Sequence, residues 1–198
     1  MGYVIVILVA YLMGTSNMAL YLSKLKRYDI RNGGSGNLGA SNTTLMLGWR
    51  AGVLVGAHDI GKSALAVILA QLIFLALPAI GAMAGAACVL GHIYPFYMGF
   101  KGGKGVASLI GTALVLNFNI TLVVLALMAA VTWFTDFIVL GTLTTVVLVP
   151  LGIWLLTGCV AEPLILLAVG LVILLHHREK LCPHPQRNGN RPEKRHQR

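Results

Sequence analysis

Long apolar runs alternate with short polar breaks along most of the chain. About 20 apolar residues at a rise of 1.5 Å per residue are needed to cross a hydrocarbon core of about 30 Å. The breaks hold polar or helix-breaking residues, which are expensive in lipid without partners. The pattern predicts seven membrane-spanning helices, of which the fourth is short for a full crossing. The predicted spans are 2–22, 51–77, 79–98, 105–117, 119–134, 137–156 and 161–176.

The first run, 2–22, is predicted to be a retained helix and not a cleaved signal peptide. No basic segment precedes it, and no small-x-small cleavage site closes it.

The lysines and arginines provide a test of the span count. All of them except Lys62 lie in the first loop, in the third loop and in the C-terminal segment, which seven spans place on one side of the membrane. By the positive-inside rule that side is cytoplasmic, so the N-terminus is expected outside and the C-terminus in the cytoplasm. The sequence thus predicts an all-α integral membrane protein in which residues 1–178 form one membrane domain. Residues 179–198 are expected to be a disordered basic cytoplasmic tail.

Composition excludes a soluble domain, because 57% of the residues are hydrophobic and only 11% are charged. The net charge is +9, and most of the basic residues that produce it lie at predicted membrane edges. We therefore expect membrane lipid as a partner and no nucleic acid. Cys88, Cys159 and Cys182 are isolated from one another. They form neither a disulfide framework nor a CxxC metal pattern, and no metal or cofactor is expected.

Two motifs of soluble nucleotide-binding proteins occur without their context. Residues 56–63, GAHDIGKS, match the phosphate-loop pattern, and residues 34–39, GSGNLG, match the dinucleotide fingerprint. Each motif requires a buried strand followed by a helix in an α/β domain. One match lies inside a predicted span and the other follows a basic loop, so we reject both interpretations.

The segment GGSGNLGASN, residues 33–42, is the first candidate site. Glycine-rich turns expose backbone N–H groups that bind anions, whereas Gly/Ser stretches also serve as flexible linkers. A linker has no need of two asparagines. We therefore favour an anion site and leave the linker as the alternative.

The segment GFKGGKGVAS, residues 99–108, is the second candidate. The aromatic residues before it are explained by an aromatic belt at the membrane interface. The two lysines and three interleaved glycines are not, since a positive-inside loop needs the charges but not the glycines. Two ammonium groups at the mouth of the next helix, whose N-terminal dipole also favours anions, indicate an anion site.

Ionisable residues occur at two further places. Asp59 and Lys62 lie one helical turn apart inside the second span and can pair, and we interpret them as a structural pair that shapes the site. His176 and His177 end the last span, where basic residues anchor to lipid headgroups. A metal site with Cys182 matches no known spacing. Together the basic and glycine-rich elements at the membrane edge predict binding of a molecule with an anionic headgroup and an apolar tail.

Three motifs in this order resemble those of one family. GSGNLGASN is similar to SGNxGATN, KGGKGVAS to KGGKGVAT and HRE to the start of HREN, all found in the PlsY family of bacterial membrane acyl-phosphate:glycerol-3-phosphate acyltransferases. The resemblance covers nearly the whole chain. It implies seven helices and transfer of a fatty acyl group from acyl phosphate to the 1-hydroxyl of glycerol-3-phosphate, giving lysophosphatidic acid and phosphate in phospholipid biosynthesis.

The resemblance also implies the site residues. Ser35, Lys104 and His177 are expected to take part in catalysis, with Lys104 contacting phosphate. The proton of the attacking hydroxyl would go either to His177 or to a phosphate oxygen of the acyl donor. A monomer in the bacterial inner membrane, with its site on the cytoplasmic side and no cofactor, is expected. The substrate-binding candidates are Gly36, Asn37, Gly39, Asn42, Arg50, Lys101, Gly102, Gly103 and Gly105.

The chain departs from the family pattern at several positions, two of which fall on expected substrate contacts. Leu45 stands where the family has an arginine, and Lys180 stands where the family has an asparagine. Arg50 is a candidate to supply the charge that is missing at Leu45. Two other classes of function stay open on the sequence. A degenerate relative would bind a lipid phosphate without turnover, and a small anion transporter would carry ionisable residues along a central path.

Overall fold

The computed structural model describes residues 1–177, and within them every regular element is helical. The predicted tail, Cys182 and Lys180 lie outside the described residues. Two 3₁₀ turns, Ile30–Asn32 and Phe96–Met98, supplement the α-helices. These are α1 (Gly2–Thr15), α2 (Met18–Leu25), α3 (Ala40–Leu47), α4 (Trp49–Ile73), α5 (Ile80–Ile93), α6 (Val106–Leu116), α7 (Phe118–Thr135), α8 (Ile138–Thr157) and α9 (Ala161–His177).

The apolar helices follow the predicted spans closely. Five stretches in the described residues are long and apolar enough to cross a membrane, and α6 and α9 are shorter apolar helices. The all-α class is therefore confirmed, while the count of seven and the orientation of the termini stay predictions. The five long stretches are Gly2–Leu25, Trp49–Ile73, Ile80–Met98, Phe118–Thr135 and Ile138–Thr157.

The first predicted span is broken at Ser16 and Asn17, which the apolar pattern did not indicate. The Asn17 side chain accepts a hydrogen bond from the Leu20 N–H at 2.9 Å and so caps α2. The break releases backbone carbonyls from helical pairing. Thr15 O accepts from the Tyr97 hydroxyl at 2.6 Å, and Ser16 O accepts from Lys62 Nζ at 2.6 Å.

Helix α3 lies inside the segment predicted as the first loop. It ends at Gly48, whose φ of +89° favours glycine, and α4 begins at the next residue. The tight turn packs α3 along α4. A Cβ added at Gly52 would overlap Thr44 Oγ1, so the absence of a side chain there permits this contact.

Helix α5 forms the centre of the bundle through backbone contacts at glycines. A Cβ added at Gly91 would overlap the carbonyl of Tyr11, and one at Gly14 would overlap the carbonyl of Cys88. Lipid offers no hydrophobic drive between helices, so close approach at small residues holds α1 against α5. A Cβ added at Gly111 would likewise overlap the carbonyl of Ile60, which brings α6 against α4.

Apolar contacts hold the two predicted loops at one end of the bundle. Ile30, just before the glycine-rich segment, and Leu38, within it, are buried with Val55 of α4, and Met98 packs against this cluster. Met98 immediately precedes the lysine-rich segment. Residues 56–63 lie within α4 as regular helix, so they form no phosphate loop.

Candidate active site

The glycine loop, residues 33–42, is held by Asn42. The buried Asn42 side chain accepts from the Ser35 N–H at 2.7 Å and donates to the carbonyl of Ile30 at 3.0 Å. Gly34 has φ of +59°, and a Cβ there would overlap Asn42 Oδ1. Asn42, expected as a substrate ligand, thus has both polar atoms of its amide engaged with the loop backbone. These bonds shape the loop, whose tip carries the exposed Ser35, and a contact of Asn42 with substrate stays a prediction.

The tip of the glycine loop leads into an open helix N-terminus. Ser35 and Gly36 are exposed, and Asn37 is partly exposed. Gly39 is the N-cap of α3 and supplies no side-chain cap. The first N–H groups of any helix lack intrahelical acceptors, so an uncapped start favours an anion.

Asn17 holds the loop from a second side and was missed by the sequence analysis. Its Nδ2 donates to the carbonyl of Leu38 at 3.3 Å, and its side chain is buried. The available signal was an asparagine inside an apolar run, which is costly in a membrane unless its amide is paired.

The lysine loop, residues 101–105, lies on the end of α5. The N–H of Gly102 donates to the carbonyl of Ile93 at 2.9 Å, and the N–H of Gly103 donates to the carbonyl of His92 at 3.0 Å. Added Cβ atoms would overlap this backbone at Gly102 and the His92 ring at Gly103. Both glycines therefore allow close approach to α5, and their amides are engaged there and not directed at a ligand.

The candidate anion site on this loop is its junction with α6. Gly105 has φ of +90° and is the N-cap of α6, again without a side-chain cap. Lys104, partly buried, directly precedes it, and Lys101 is exposed. The lysine charge and the positive end of the helix dipole therefore coincide at this junction.

The end of α9 brings the third motif to the same end of the bundle. His177 is buried, and its Nδ1 lies 2.9 Å from the carbonyl of Ile173. A carbonyl can only accept, so Nδ1 carries the proton and Nε2 is the basic nitrogen of the neutral ring. The neighbouring His176 ring meets Tyr94 edge to face with centroids 5.1 Å apart, which places α9 beside the end of α5.

A buried polar cluster lies beneath the lysine loop. Lys62 Nζ is 3.0 Å from Asp59 Oδ1, which confirms the predicted pair. Lys62 also lies 2.8 Å from His92 Nδ1. His58 Nδ1 is 3.4 Å from Asp59 Oδ1, and its Nε2 is 3.0 Å from the Ser16 hydroxyl. The sequence indicated the pair, but the two histidines and Ser16 come from separate segments that only the fold joins.

Charged residues at the start of the glycine loop have simpler roles. Asp29 and Arg31 pair at 2.7 Å, and Asp29 also accepts from the Arg31 N–H. The Arg31 hydrogen bonds lower the pKa of Asp29 below its usual value, and the Asp29 carboxylate raises the pKa of Arg31.

Leu45 is exposed on α3, and Arg50 lies over the Trp49 ring at 5.5 Å. Whether Arg50 replaces the family arginine stays a prediction.

A sequence model described as glycerol-3-phosphate acyltransferase matches residues 4–182. The chain belongs to this family. It is 35% identical over 182 residues to the glycerol-3-phosphate acyltransferase of Syntrophotalea carbinolica, covering 91% of this chain and 92% of that protein. It is 32% identical to the enzyme of Aquifex aeolicus over 175 residues, covering 88% and 91%. The resemblance inferred from the three motifs is thereby confirmed.

Solved structures of the family have the same fold. The crystal structure of PlsY, an integral membrane glycerol 3-phosphate acyltransferase, in its glycerol 3-phosphate form superposes with a TM-score of 0.85 at 31% identity. It covers 91% of this chain and 90% of that one. The lysophosphatidic acid form gives a TM-score of 0.84 at 30% identity with the same coverage. This member of the glycerol-3-phosphate acyltransferase family is therefore a multi-pass membrane protein with the PlsY fold.

Proposed function

We propose that this protein transfers a fatty acyl group from acyl phosphate to the 1-hydroxyl of glycerol-3-phosphate, giving lysophosphatidic acid and phosphate. The observation that carries the proposal is a pair of glycine-capped helix N-termini, those of α3 and α6, at one end of the bundle. Each has an anion-favouring dipole and lacks a side-chain cap. Two such ends suit a reaction that brings two phosphates together.

The lysine loop would hold the reacting phosphate. Lys104 and the first N–H groups of α6 would neutralise the acyl phosphate and stabilise both the tetrahedral oxyanion and the departing phosphate. Electrostatic stabilisation of this kind is usually the largest contribution to acyl transfer. The glycine loop, with Ser35 at its exposed tip, would bind the second phosphate. Since acyl phosphate is already activated, positioning carries much of the remaining rate.

The proton of the attacking hydroxyl has two possible acceptors. His177 is buried, and an imidazole is the side chain that most often serves as a general base. A phosphate oxygen of the donor would serve without any protein base. The His177→Gln variant separates the two: nearly full turnover assigns the proton to phosphate, whereas a loss of about a hundredfold or more assigns it to His177.

The proposal includes a membrane orientation. The five long apolar stretches together with α6 and α9 would give seven spans, with the N-terminus outside and the site at the cytoplasmic face of a bacterial inner membrane. A monomer carries both glycine-rich loops and His177, so a single chain supplies every proposed site residue.

The decisive measurement is phosphate release from palmitoyl phosphate by the purified protein, with and without glycerol-3-phosphate. Glycerol-phosphate-dependent release is expected from the wild type. Lys104→Ala should lower it by about a hundredfold or more, because a charge aimed at the transition state is lost. Lys26→Ala, which removes an exposed basic residue outside the motifs, should stay within about twofold of wild type.

Two results would contradict the proposal. Folded wild-type protein that releases no phosphate would indicate a relative that binds lipid phosphate without turnover. Release that does not depend on glycerol-3-phosphate would indicate another acceptor.

A further inference from the structure

Three buried polar side chains lie inside membrane spans, away from any proposed substrate contact. Asp59, Lys62 and His92 are 2%, 8% and 3% exposed. Such a cluster is not explained by stability, since a buried ion pair replaced by apolar residues of similar volume often leaves a protein equally or more stable. Its contacts offer a different explanation.

Lys62 connects three segments of the chain. An ammonium has three donors, and those of Lys62 meet Asp59 Oδ1 at 3.0 Å, the carbonyl of Ser16 at 2.6 Å and His92 Nδ1 at 2.8 Å. His92 Nδ1 also lies 3.4 Å from Asp59 Oδ1. The side chains of Lys62 and Asp59 therefore together hold the His92 ring.

His92 supports the lysine loop through its backbone and its ring. Its carbonyl accepts from the Gly103 N–H at 3.0 Å, and a Cβ at Gly103 would overlap Nε2 of the ring. The ring therefore lies directly against Gly103, which precedes Lys104.

Ser16 connects the same cluster to the glycine loop. Its carbonyl is free of helical pairing because α1 ends at Thr15, and its neighbour Asn17 donates to the carbonyl of Leu38 in the glycine loop at 3.3 Å. A continuous path thus runs from Leu38 through Asn17, Ser16 and Lys62 to His92 and the lysine loop.

We propose that Asp59, Lys62 and His92 are positioning residues that fix the spacing between the glycine loop and the lysine loop. This inference rests on the proposed function, because spacing matters only if the loops hold two reacting groups. The hydroxyl and the acyl carbon must approach to about 3–3.5 Å, and a misplacement of about 1 Å costs on the order of a hundredfold in rate. Asp59 orients the Lys62 ammonium, Lys62 orients His92, and His92 supports Gly103.

The first test compares Lys62→Met with Ser63→Ala in the full-length protein. Ser63 is the next residue, is equally buried and bonds Cys88 Sγ at 3.2 Å, outside the path between the loops. Lys62→Met should lower kcat by about a hundredfold while each KM changes by less than about threefold, because each loop keeps its own local hydrogen bonds. Ser63→Ala should stay within about twofold. Unchanged kcat in folded Lys62→Met would overturn the inference.

A second variant separates positioning from the burial of a charge. Lys62→Met alone leaves the Asp59 carboxylate without its ammonium partner, whereas Asp59→Asn combined with Lys62→Met removes both charges. The double variant should regain the thermal stability of wild type. If the cluster positions the loops, its kcat stays low; recovery of kcat together with stability would show that the pair has only a structural role.

A distance measurement tests the inference without turnover. Spin labels at Ser41→Cys and Phe100→Cys, both exposed and one beside each loop, would be introduced after replacing the native cysteines. Lys62→Met should broaden or shift the distance distribution, and Ser63→Ala should leave it unchanged. An unaltered distribution in Lys62→Met would overturn the inference. Absence of wild-type turnover would instead reject the proposed function, and the distance result would still stand.

Discussion

Helices α5 and α7 are both apolar, yet α5 is mostly buried in the bundle and α7 is mostly exposed on its surface. Over 18 residues of the stretch Ile80–Met98, which contains α5, 67% of the residues are buried inside the protein, against 11% in α7. The more apolar of the two is the more exposed. In a membrane, large apolar side chains are as well solvated by lipid as by protein. The helices that become buried are therefore those rich in small and polar residues.

The contrast shows where function lies in this fold. Helix α5 carries Gly91, which contacts α1, and the histidine that supports the lysine loop, whereas α7 presents large side chains such as Trp133 and Phe134 outward. Four changes test this difference, from the largest expected effect to the smallest.

The same substitution should have opposite consequences at two exposed leucines. Leu127 lies near the middle of α7 and Leu45 lies on α3, and both side chains are exposed. Leu127→Arg places a charge toward lipid at a cost of about 3 kcal/mol, so yield and stability of membrane-inserted protein should fall sharply. Leu45→Arg should insert normally and lower the KM for glycerol-3-phosphate by up to about fivefold. Equal yields would show that α7 does not face lipid.

Gly103→Ala should abolish most activity without unfolding the protein. The added Cβ would overlap the His92 ring and displace the lysine loop, so kcat should fall by about a hundredfold. Gly61→Ala on α4 is the matched control, because a Cβ there meets nothing within 4 Å. Turnover should stay within about twofold for the control, as measured by phosphate release. Wild-type rates in Gly103→Ala would show that this contact is not needed.

Gly91→Ala should destabilise the bundle more than Gly152→Ala. At Gly91 the Cβ would overlap the backbone of Tyr11, which cannot rotate away, and the cost should be about 1–3 kcal/mol. At Gly152 on α8 the nearest atom is Ile120 Cγ2 at 2.8 Å, on a side chain that can move. Alanine is more stable than glycine in a helix by about 0.5–1 kcal/mol, and this gain should largely offset the cost of the contact with Ile120. Equal shifts in unfolding free energy in detergent would contradict the central place of α5.

Asp29→Asn should have the smallest effect, and only above acidic pH. The pKa of Asp29 is lowered by Arg31, so the folded state favours the carboxylate. The pair therefore contributes above the ordinary Asp pKa of about 4, and this contribution is lost as pH falls through the lowered pKa. Thermal midpoints of variant and wild type should differ slightly at pH 7 and converge at strongly acidic pH. A difference that grows on acidification would contradict the sign.

Local spacing explains which parts of the site were predictable. Asp59 and Lys62 are one helical turn apart, and this periodicity alone was enough to predict their pair. The break at Ser16 and Asn17 was missed because the apolar run continues on both sides of it. The bonds of the Asn42 amide to the Ser35 N–H and the Ile30 carbonyl were not predicted, because they depend on where the fold places these two residues.

The sequence by itself determined the helical class, the approximate limits of the apolar helices, the family and the two glycine-rich loops. These follow from lipid solvation and from local residue chemistry, which act over short stretches of chain. Only the tertiary structure decided that Ser16, Lys62, His92 and Gly103 meet, because they come from four segments joined by helix packing. The contacts between segments depend on how closely glycines let helices approach, and no short stretch of sequence contains both sides of such a contact.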